Sequence, residues 1–393
     1  MKGTRGEVLR AFARLGVTSF GGPVAHLGYF RAEFVTRRAW LDERAFADLV
    51  GLCQFLPGPA SSQAGFAIGL LRAGFWGGIA AWAGFTLPSA VLMVAFAYGS
   101  PALTATTTGA GLLHGLKLVA VAIVAQAVWG MARSLCPDRP RAGIGTAALV
   151  LALAAPNAAG QIGAIVLGAL AGFVFSKTDA DAVPLPVVMP VSRNAGLACL
   201  AVFAVLLLLS IFPSGGLLGF FDAFYRAGAL VFGGGHVVLP LLQDAVVAPG
   251  WVSGEKFLAG YGATQAMPGP IFTFAAYLGA VATVPPSGVA GAIVALVAIF
   301  LPGLLLLTGV LPFWNSLRGH PAAQAAMRGV NAAVVGLLAA ARYAPVWTGS
   351  VANRADFAIV AIGFVALTVF RAAPLAIVAA SAAAGALIAV AVS

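Results

Sequence analysis

Long apolar runs separated by short polar stretches make up most of the chain. Several runs approach the roughly 20 residues that an α-helix needs to cross a bilayer. The pattern is interrupted by weakly apolar stretches that carry charges and by stretches broken by clustered glycine and proline. It predicts an all-α integral membrane protein in which broken or re-entrant helices lie among full spans. The clearest apolar runs are 74–98, 142–155, 162–175, 197–212, 289–310 and 375–392.

One broken stretch occurs twice. Residues 54–63 read QFLPGPASSQ and residues 265–273 read QAMPGPIFT, with the Pro-Gly-Pro triplets 211 positions apart. Proline removes a backbone donor and clashes with the preceding turn, so neither stretch continues as one helix. In a membrane, such a break is tolerated where protein or a water-filled cavity surrounds the freed backbone groups. The alternative is that each triplet only kinks a helix for packing.

A second broken motif is also duplicated, because residues 20–23 read FGGP and residues 232–236 read FGGGH. Aligning these two motifs and the two Pro-Gly-Pro triplets matches much of the first half of the chain to the second half. The aligned pairs include Arg14 with Arg226, Gly16 with Gly228, Pro88 with Pro302, Gly115 with Gly329 and Lys117 with Asn331. The chain is therefore predicted to consist of two related halves.

The duplication predicts three regions. Residues 1–176 form an N-terminal transmembrane repeat, residues 177–213 a linker with one extra transmembrane helix, and residues 214–393 a C-terminal repeat. One extra crossing turns the second repeat upside down relative to the first when each repeat crosses an even number of times. We therefore expect two inverted-topology repeats, with broken or re-entrant helices at the Phe-Gly-Gly and Pro-Gly-Pro motifs.

Composition supports a membrane protein and sets its orientation. The chain is 61% hydrophobic and 9% charged, with a mean hydropathy of +0.99. A net charge of +10 would suggest nucleic acid for a soluble protein, but in a membrane protein basic residues accumulate in cytoplasmic loops. We predict a multi-pass inner (plasma) membrane protein, without a nucleic-acid partner, whose N-terminus and 177–193 linker are cytoplasmic. Hairpins at the broken segments satisfy this rule best, and full crossings are the alternative.

The Pro-Gly-Pro hairpins suggest an anion site. An arm that begins after the triplet points a helix N-terminus toward the bilayer middle, where free N–H groups and the helix dipole attract an anion. Three polar residues make the first copy the richer in donors, so we expect it to dominate binding. The candidate substrate-binding residues are Gln54, Pro57, Gly58, Pro59, Ser61, Ser62, Gln63, Gln265, Pro268, Gly269, Pro270 and Thr273, together with Gly21, Gly22, Gly233 and Gly234.

Three basic residues lie in apolar surroundings, where a charge is costly unless it is paired or functional. Arg14, Arg226 and Lys117 are therefore candidates for neutralising a bound anion. Each has a simpler alternative: Arg14 as a cytoplasmic residue, Arg226 as a partner of Asp222, and Lys117 as a snorkelling side chain.

His26 and His236 follow the two glycine breaks and are candidates for carrying a coupling proton, since histidine titrates near neutral pH. Packed, hydrogen-bonded histidines are the alternative. The sequence holds no phosphate-binding loop, zinc-protease motif or nucleophile elbow, and its three cysteines lack metal-type spacing. We expect no enzyme activity, no metal and no cofactor, and the sequence leaves open whether two chains form a homodimer.

The paired Phe-Gly-Gly motifs, the paired Pro-Gly-Pro motifs with their preceding glutamines, and the duplicated length resemble the chromate ion transporter family in its long, two-domain form. The resemblance covers nearly the whole chain. It implies a bacterial-type inner-membrane protein that exports chromate, driven by the membrane potential or a proton gradient, and so gives chromate resistance. It also implies a link to sulfate, because both ions are tetrahedral dianions.

The leading interpretation is therefore a secondary active chromate exporter. A sulfate or other oxyanion transporter, and a passive anion channel that uses the same helix termini, are the alternatives.

Overall fold

The computed structural model describes residues 3–155, 158–175, 191–210, 212, 215–232, 237–314, 320–341, 347 and 350–392. These residues form helices and connecting turns and contain no strand. The helices are α1 (Arg5–Thr18), α2 (Gly22–Phe30), α3 (Glu43–Phe55), α4 (Ala60–Thr104), α5 (Thr107–Leu135), α6 (Arg139–Ala154), α7 (Ala158–Phe175), α8 (Arg193–Leu209), α9 (Gly216–Ala229), α10 (Val238–Val246), α11 (Gly254–Thr264), α12 (Phe274–Val281), α13 (Gly288–Val310), α14 (Pro321–Ala341), α15 (Arg354–Thr368) and α16 (Pro374–Val392).

Helix α4 is a hairpin. Its backbone leaves the helical region at Ala73 and Gly74. A Cβ on Gly69 would lie 2.3 Å from the carbonyl oxygen of Gly77, although residues eight apart in a straight helix are separated by about 12 Å. The chain therefore reverses to give a short arm, residues 60–72, and a long arm, residues 75–104. At 1.5 Å per residue the short arm is about 20 Å long, which is less than the thickness of a bilayer core.

The second Pro-Gly-Pro triplet is followed by the same arrangement. A 3-10 turn, Ile271–Thr273, leads into the short helix α12, and α13 then returns beside it. A Cβ on Gly279 would lie 2.2 Å from the carbonyl oxygen of Gly291, so these two helices also touch backbone to backbone. Both triplets thus precede a short helical arm that packs against a longer one.

Small residues let neighbouring helices approach closely throughout the structure. Helix α1 packs on the long arm of α4, where a Cβ on Gly16 would meet the Gly84 carbonyl oxygen at 2.5 Å. Helix α9 packs on α13 in the same way, since a Cβ on Gly228 would lie 2.1 Å from the carbonyl oxygen of Ile299. Gly16 and Gly228 are an aligned pair of the sequence, so the duplication has a counterpart in packing.

Within the described residues, five helices are long and apolar enough to cross a membrane: α4, α5, α13 with the turn that follows it, α14 and α16. Shorter apolar helices include α7 and α8. Large apolar side chains such as Leu208, Val297 and Leu387 are exposed on the outer surface, as expected of a protein whose solvent is lipid. The helical architecture confirms the predicted all-α class and supports a multi-pass membrane protein.

Candidate functional site

The four broken motifs meet through two backbone hydrogen bonds, which we term the exchange bonds. The Gly58 N–H donates to the Val231 carbonyl oxygen at 2.7 Å, and the Gly269 N–H donates to the Ser19 carbonyl oxygen at 2.8 Å. Val231 and Ser19 directly precede the Phe-Gly-Gly motifs. Each Pro-Gly-Pro triplet is therefore completed by the half of the chain to which it does not belong.

The glycine of each triplet is required by its backbone. Gly58 has a φ of 122° and Gly269 a φ of 86°, a region that side chains strongly disfavour. Space is also short, because a Cβ on Gly58 would lie 3.0 Å from the Cα of Gly303, and a Cβ on Gly269 would lie 3.0 Å from the Phe85 carbonyl oxygen. The flanking prolines then fix the entry into the short arms.

Two side-chain contacts, which we term the latches, join each short arm to the long arm of the other half. Gln63 donates from Nε2 to the carbonyl oxygens of Gly303 at 2.9 Å and Pro57 at 3.0 Å. The hydroxyl groups of Thr273 and Ser89 are 2.8 Å apart. Ser89 and Gly303 each follow one of the aligned prolines of the long arms. Gln63 therefore positions the triplet, and its Nε2 is not free to bind a ligand.

Buried polar groups gather around the start of the first short arm. The donor cluster consists of Ser19, His26, Ser61, Ser62 and Thr86, all at most 3% exposed. His26 Nδ1 lies 3.3 Å from Ser61 Oγ, and its ring packs edge-on against Phe85. Ser19 and Phe85 both contact Gly269, and Ser62 and Thr86 directly follow Ser61 and Phe85 in the chain.

Most of this cluster lacks a partner. Ser19 Oγ, His26 Nε2, Ser62 Oγ and Thr86 Oγ1 are buried and make no hydrogen bond within the described part of the chain. Each buried polar atom left unsatisfied costs about 1–3 kcal/mol. All four groups can donate, His26 Nε2 whenever its tautomer or protonation state places a proton there. The cluster is thus suited to a ligand that accepts several hydrogen bonds.

The backbone adds to this set of donors. Helix α4 begins at Ala60 after Pro59, and no side chain caps it. Its first N–H groups and the positive end of its dipole point toward the exchange bonds, an arrangement that favours negative charge. In the second half, a 3-10 turn precedes α12, and Thr273 Oγ1 is already bonded to Pro270 and Ser89. Among the described residues the first copy therefore has more buried donors without a partner than the second, where Gln265 Nε2 is such an atom.

Among the described residues, no hydrogen bond or ion pair joins the three candidate cations to the donor cluster. The Arg14 side chain is exposed on α1. Arg226 donates to the Ser210 carbonyl oxygen at 2.8 Å and so caps helix α8. Lys117 Nζ lies 3.2 Å from Glu255, at the N-terminus of α11. The structure thus gives Arg226 and Lys117 partners of their own.

The remaining sequence candidates fall into two groups. Gln54 is exposed on α3, and Gly21 and Gly22 form the left-handed turn that starts α2. Gly233, Gly234 and His236 lie outside the described residues. Sequence reasoning missed Ser19, Thr86 and Ser89, although each sits beside an aligned motif: Ser19 before Phe-Gly-Gly, and the other two around the aligned proline of the long arm.

A family model described as "Chromate transporter" matches residues 6–173 and 218–386. The chain is 30% identical to a chromate transport protein of Pseudomonas aeruginosa, over 85% of this chain and 79% of that relative. It is 27% identical to a probable chromate transport protein of Synechococcus elongatus, over 85% and 83% of the two chains. A chromate transport protein of Cupriavidus metallidurans is 24% identical, over 85% and 81%. No solved structure matches the chain.

Proposed function

The chain belongs to the chromate transporter family, and we propose that it carries chromate across the membrane through the donor cluster. The observation that carries this proposal is the set of buried hydroxyl and imidazole groups without partners at the start of the first short arm. A tetrahedral oxyanion accepts hydrogen bonds in several directions at once, and the cluster contributes donors and no carboxylate. Sulfate has the same shape and charge, so it is the competing substrate.

The cluster lacks a permanent cation, so the charge of a dianion has to be compensated in two ways. The N-terminus of the short arm supplies about half an elementary charge. A proton on His26 supplies one further charge, because a bound dianion favours the charged imidazole. The charged residues on the elements packed against α2 have other partners: Arg31 pairs with Glu43, Glu33 with two arginines that follow it, and Arg72 with Glu7.

We therefore propose that a proton and the oxyanion bind together, since favourable coupling between two ligands is reciprocal. The complex of a dianion with one proton keeps a net charge of −1. A membrane potential that is negative inside drives such a complex outward, by about 2.3 kcal/mol per 100 mV. Export of this kind would lower cytoplasmic chromate and give chromate resistance.

Replacing His26 with glutamine tests this coupling. Glutamine keeps a hydrogen-bond donor but cannot take up a proton. We expect His26→Gln to bind chromate at least tenfold more weakly at pH 7.5, where dissolved chromate is mostly the dianion, and to lose the uptake of about one proton that accompanies binding to the unmodified protein. Calorimetry in two buffers of different ionisation enthalpy measures this proton. Proton uptake unchanged in the variant would place the coupling group elsewhere, with His236 as the next candidate.

We propose that the two halves are inverted-topology repeats, and that alternating access opens one latch while the other stays closed. The crosswise pattern of the exchange bonds and latches supports this, because each half makes equivalent contacts to the other. Opening at Gln63–Gly303 and opening at Thr273–Ser89 would then expose the donor cluster to opposite sides of the membrane.

The proposed orientation places the N-terminus and the 177–193 linker in the cytoplasm of a cell with the protein in its inner membrane. A single cysteine introduced into this linker, in a variant without the three native cysteines, is expected to react with a membrane-impermeant maleimide in inside-out vesicles. Right-side-out vesicles should leave it unlabelled. Labelling confined to the right-side-out vesicles would invert the proposed orientation.

Flux through purified protein in liposomes tests the transport mechanism. We expect chromate to accumulate against its own gradient when a membrane potential of the appropriate sign is imposed, with sulfate as a competitor. Passive flux of chromate down its electrochemical gradient, without accumulation against the gradient, would instead show an anion channel. Stronger accumulation of sulfate than of chromate would make sulfate the physiological class of substrate.

A further inference from the structure

Helix α14 contains an arginine, Arg328, that is half-buried and has two guanidinium nitrogen atoms without a hydrogen-bond partner among the described residues. Nε and Nη2 of Arg328 are both buried and unbonded within the described part of the chain. The residue lies inside the apolar span 321–340. An unpaired charge in such surroundings is costly, and removal from water is compensated only by an opposite charge in good geometry. The two free atoms form one edge of the guanidinium plane.

The other half of the chain shows what occupies the equivalent place. Because Gly115 aligns with Gly329, Arg328 aligns with His114. His114 Nε2 lies 2.8 Å from Asp356 Oδ1, and Asp356 is 2% exposed. In the first half, a basic side chain thus meets a buried carboxylate that the second half supplies.

The repeat does not conserve this carboxylate. Asp356 is the third residue after Asn353, the N-cap of α15. The third residue after Asp138, the N-cap of the corresponding helix α6, is Arg141. The carboxylate of one half is therefore replaced by a second guanidinium group in the other.

Helix packing brings the two arginines to the same level. A Cβ on Gly145 would lie 3.1 Å from the Ala332 carbonyl oxygen, and a Cβ on Gly336 would lie 2.7 Å from the Leu149 nitrogen. The second contact lies four residues after the first on both α6 and α14, so the two helices run parallel. One turn earlier on both helices are Arg141 and Arg328.

The one acid described beside Arg141 is already used. Asp138 accepts hydrogen bonds from the Arg141 side chain and backbone, and these lower the pKa of its carboxyl group. Arg328 makes no bond to it. The two guanidinium groups and this single carboxylate leave a net positive charge where the first half pairs His114 with a carboxylate.

We propose that Arg328 binds an oxyanion of the phosphate or sulfate type, which takes the place that the Asp356 carboxylate fills in the other half. Nε–H and Nη2–H present two parallel donors, which match two oxygen atoms of such an ion. The same chemistry fits a free ion and the phosphate group of a lipid. This site lies on α6 and α14 and is separate from the donor cluster, whose residues lie on α2, on α4 and at the end of α1.

Binding to the purified full-length chain tests the site. Sulfate is titrated calorimetrically into delipidated protein, and phospholipid retained before delipidation is counted by native mass spectrometry. If the ligand is a free ion, Arg328→Gln is expected to weaken one class of sulfate sites at least tenfold, and Ser62→Ala is expected to keep that class. If the ligand is a lipid, native mass spectrometry is expected to find anionic phospholipid bound to the unmodified protein and none at this site in Arg328→Gln.

Arg44→Gln removes an equal charge from an exposed position on α3 and serves as the control. Arg328→Lys keeps the charge but lacks the planar edge, and it provides a second variant if Arg328→Gln does not fold; we expect it to lose at least threefold in affinity. Sulfate affinity and lipid retention that are the same in the Arg328 variants and Arg44→Gln would overturn the proposal. That result would leave the proposed transport function untouched, since Ser62→Ala reports on the donor cluster independently.

Discussion

Chromate affinity is expected to fall roughly tenfold to a hundredfold when Ser62 is replaced by alanine. Ser62 is 2% exposed, its hydroxyl group has no partner among the described residues, and it lies in the first turn of the short arm. A hydrogen bond to a charged group contributes about 1.5–3 kcal/mol. Removing an unsatisfied hydroxyl group also relieves a buried polar atom, so the variant should unfold at the same or a slightly higher temperature. Affinity and thermal stability should move in opposite directions.

Equilibrium binding of chromate to purified protein, together with a thermal unfolding curve, measures both quantities. Ser134→Ala is the control, because Ser134 is exposed in the last turn of α5 and bonds only to carbonyl oxygens of its own helix. It should match the unmodified protein in both measurements. If Ser62→Ala instead binds normally and is less stable, the hydroxyl group has a structural role, and the donor cluster is not the ligand site.

The second large effect is expected for Gly58→Ala. Alanine at a φ of 122° is strained by about 1–3 kcal/mol. Its Cβ would also meet the Gln63 amide at 2.9 Å and the Gly303 Cα at 3.0 Å, so the first latch and its exchange bond cannot keep their geometry. We expect the initial rate of chromate transport to fall more than tenfold, with a clear loss of thermal stability.

The matched control is Gly51→Ala. Gly51 lies in α3, one element before the triplet, and a Cβ there would meet nothing within 4 Å. Alanine in a helix is favoured over glycine by up to about 1 kcal/mol, so this variant should be as stable as the unmodified protein or more so. Transport by Gly58→Ala at the rate of Gly51→Ala would show that the triplet does not need its left-handed turn.

The sequence predicted the breaks but not their partners. Proline and glycine directly restrict the backbone of their own segment, so the C-terminal end of α3 and the start of the short arm could be placed from residues 54–63 alone. The exchange bond from Gly58 to Val231 joins residues 173 positions apart. Such a bond depends on how the halves dock, and no local pattern encodes it.

The two glutamines around the first triplet show the same limit in side chains. Gln54 lies three residues before Pro57 and is exposed on α3, whereas Gln63 turns inward and makes the latch. Arg226 is another example, because the carbonyl group that it caps belongs to the end of α8, sixteen residues earlier. Residue type indicated that these side chains need partners. The packing of the helices decided which partners they have.

The exchange bonds also impose an order of assembly on the chain. The Ser19 carbonyl group and the Gly58 N–H are made early in synthesis, but their partners, Gly269 and Val231, are made more than 170 residues later. Until the second half has inserted, these groups lie in the membrane without the bonds that they make in the finished protein, which costs free energy. The first half is therefore expected to stay loosely packed on the translocating ribosome. The donor cluster would become fully packed only after the second half has inserted, so membrane proteases should degrade a truncated chain.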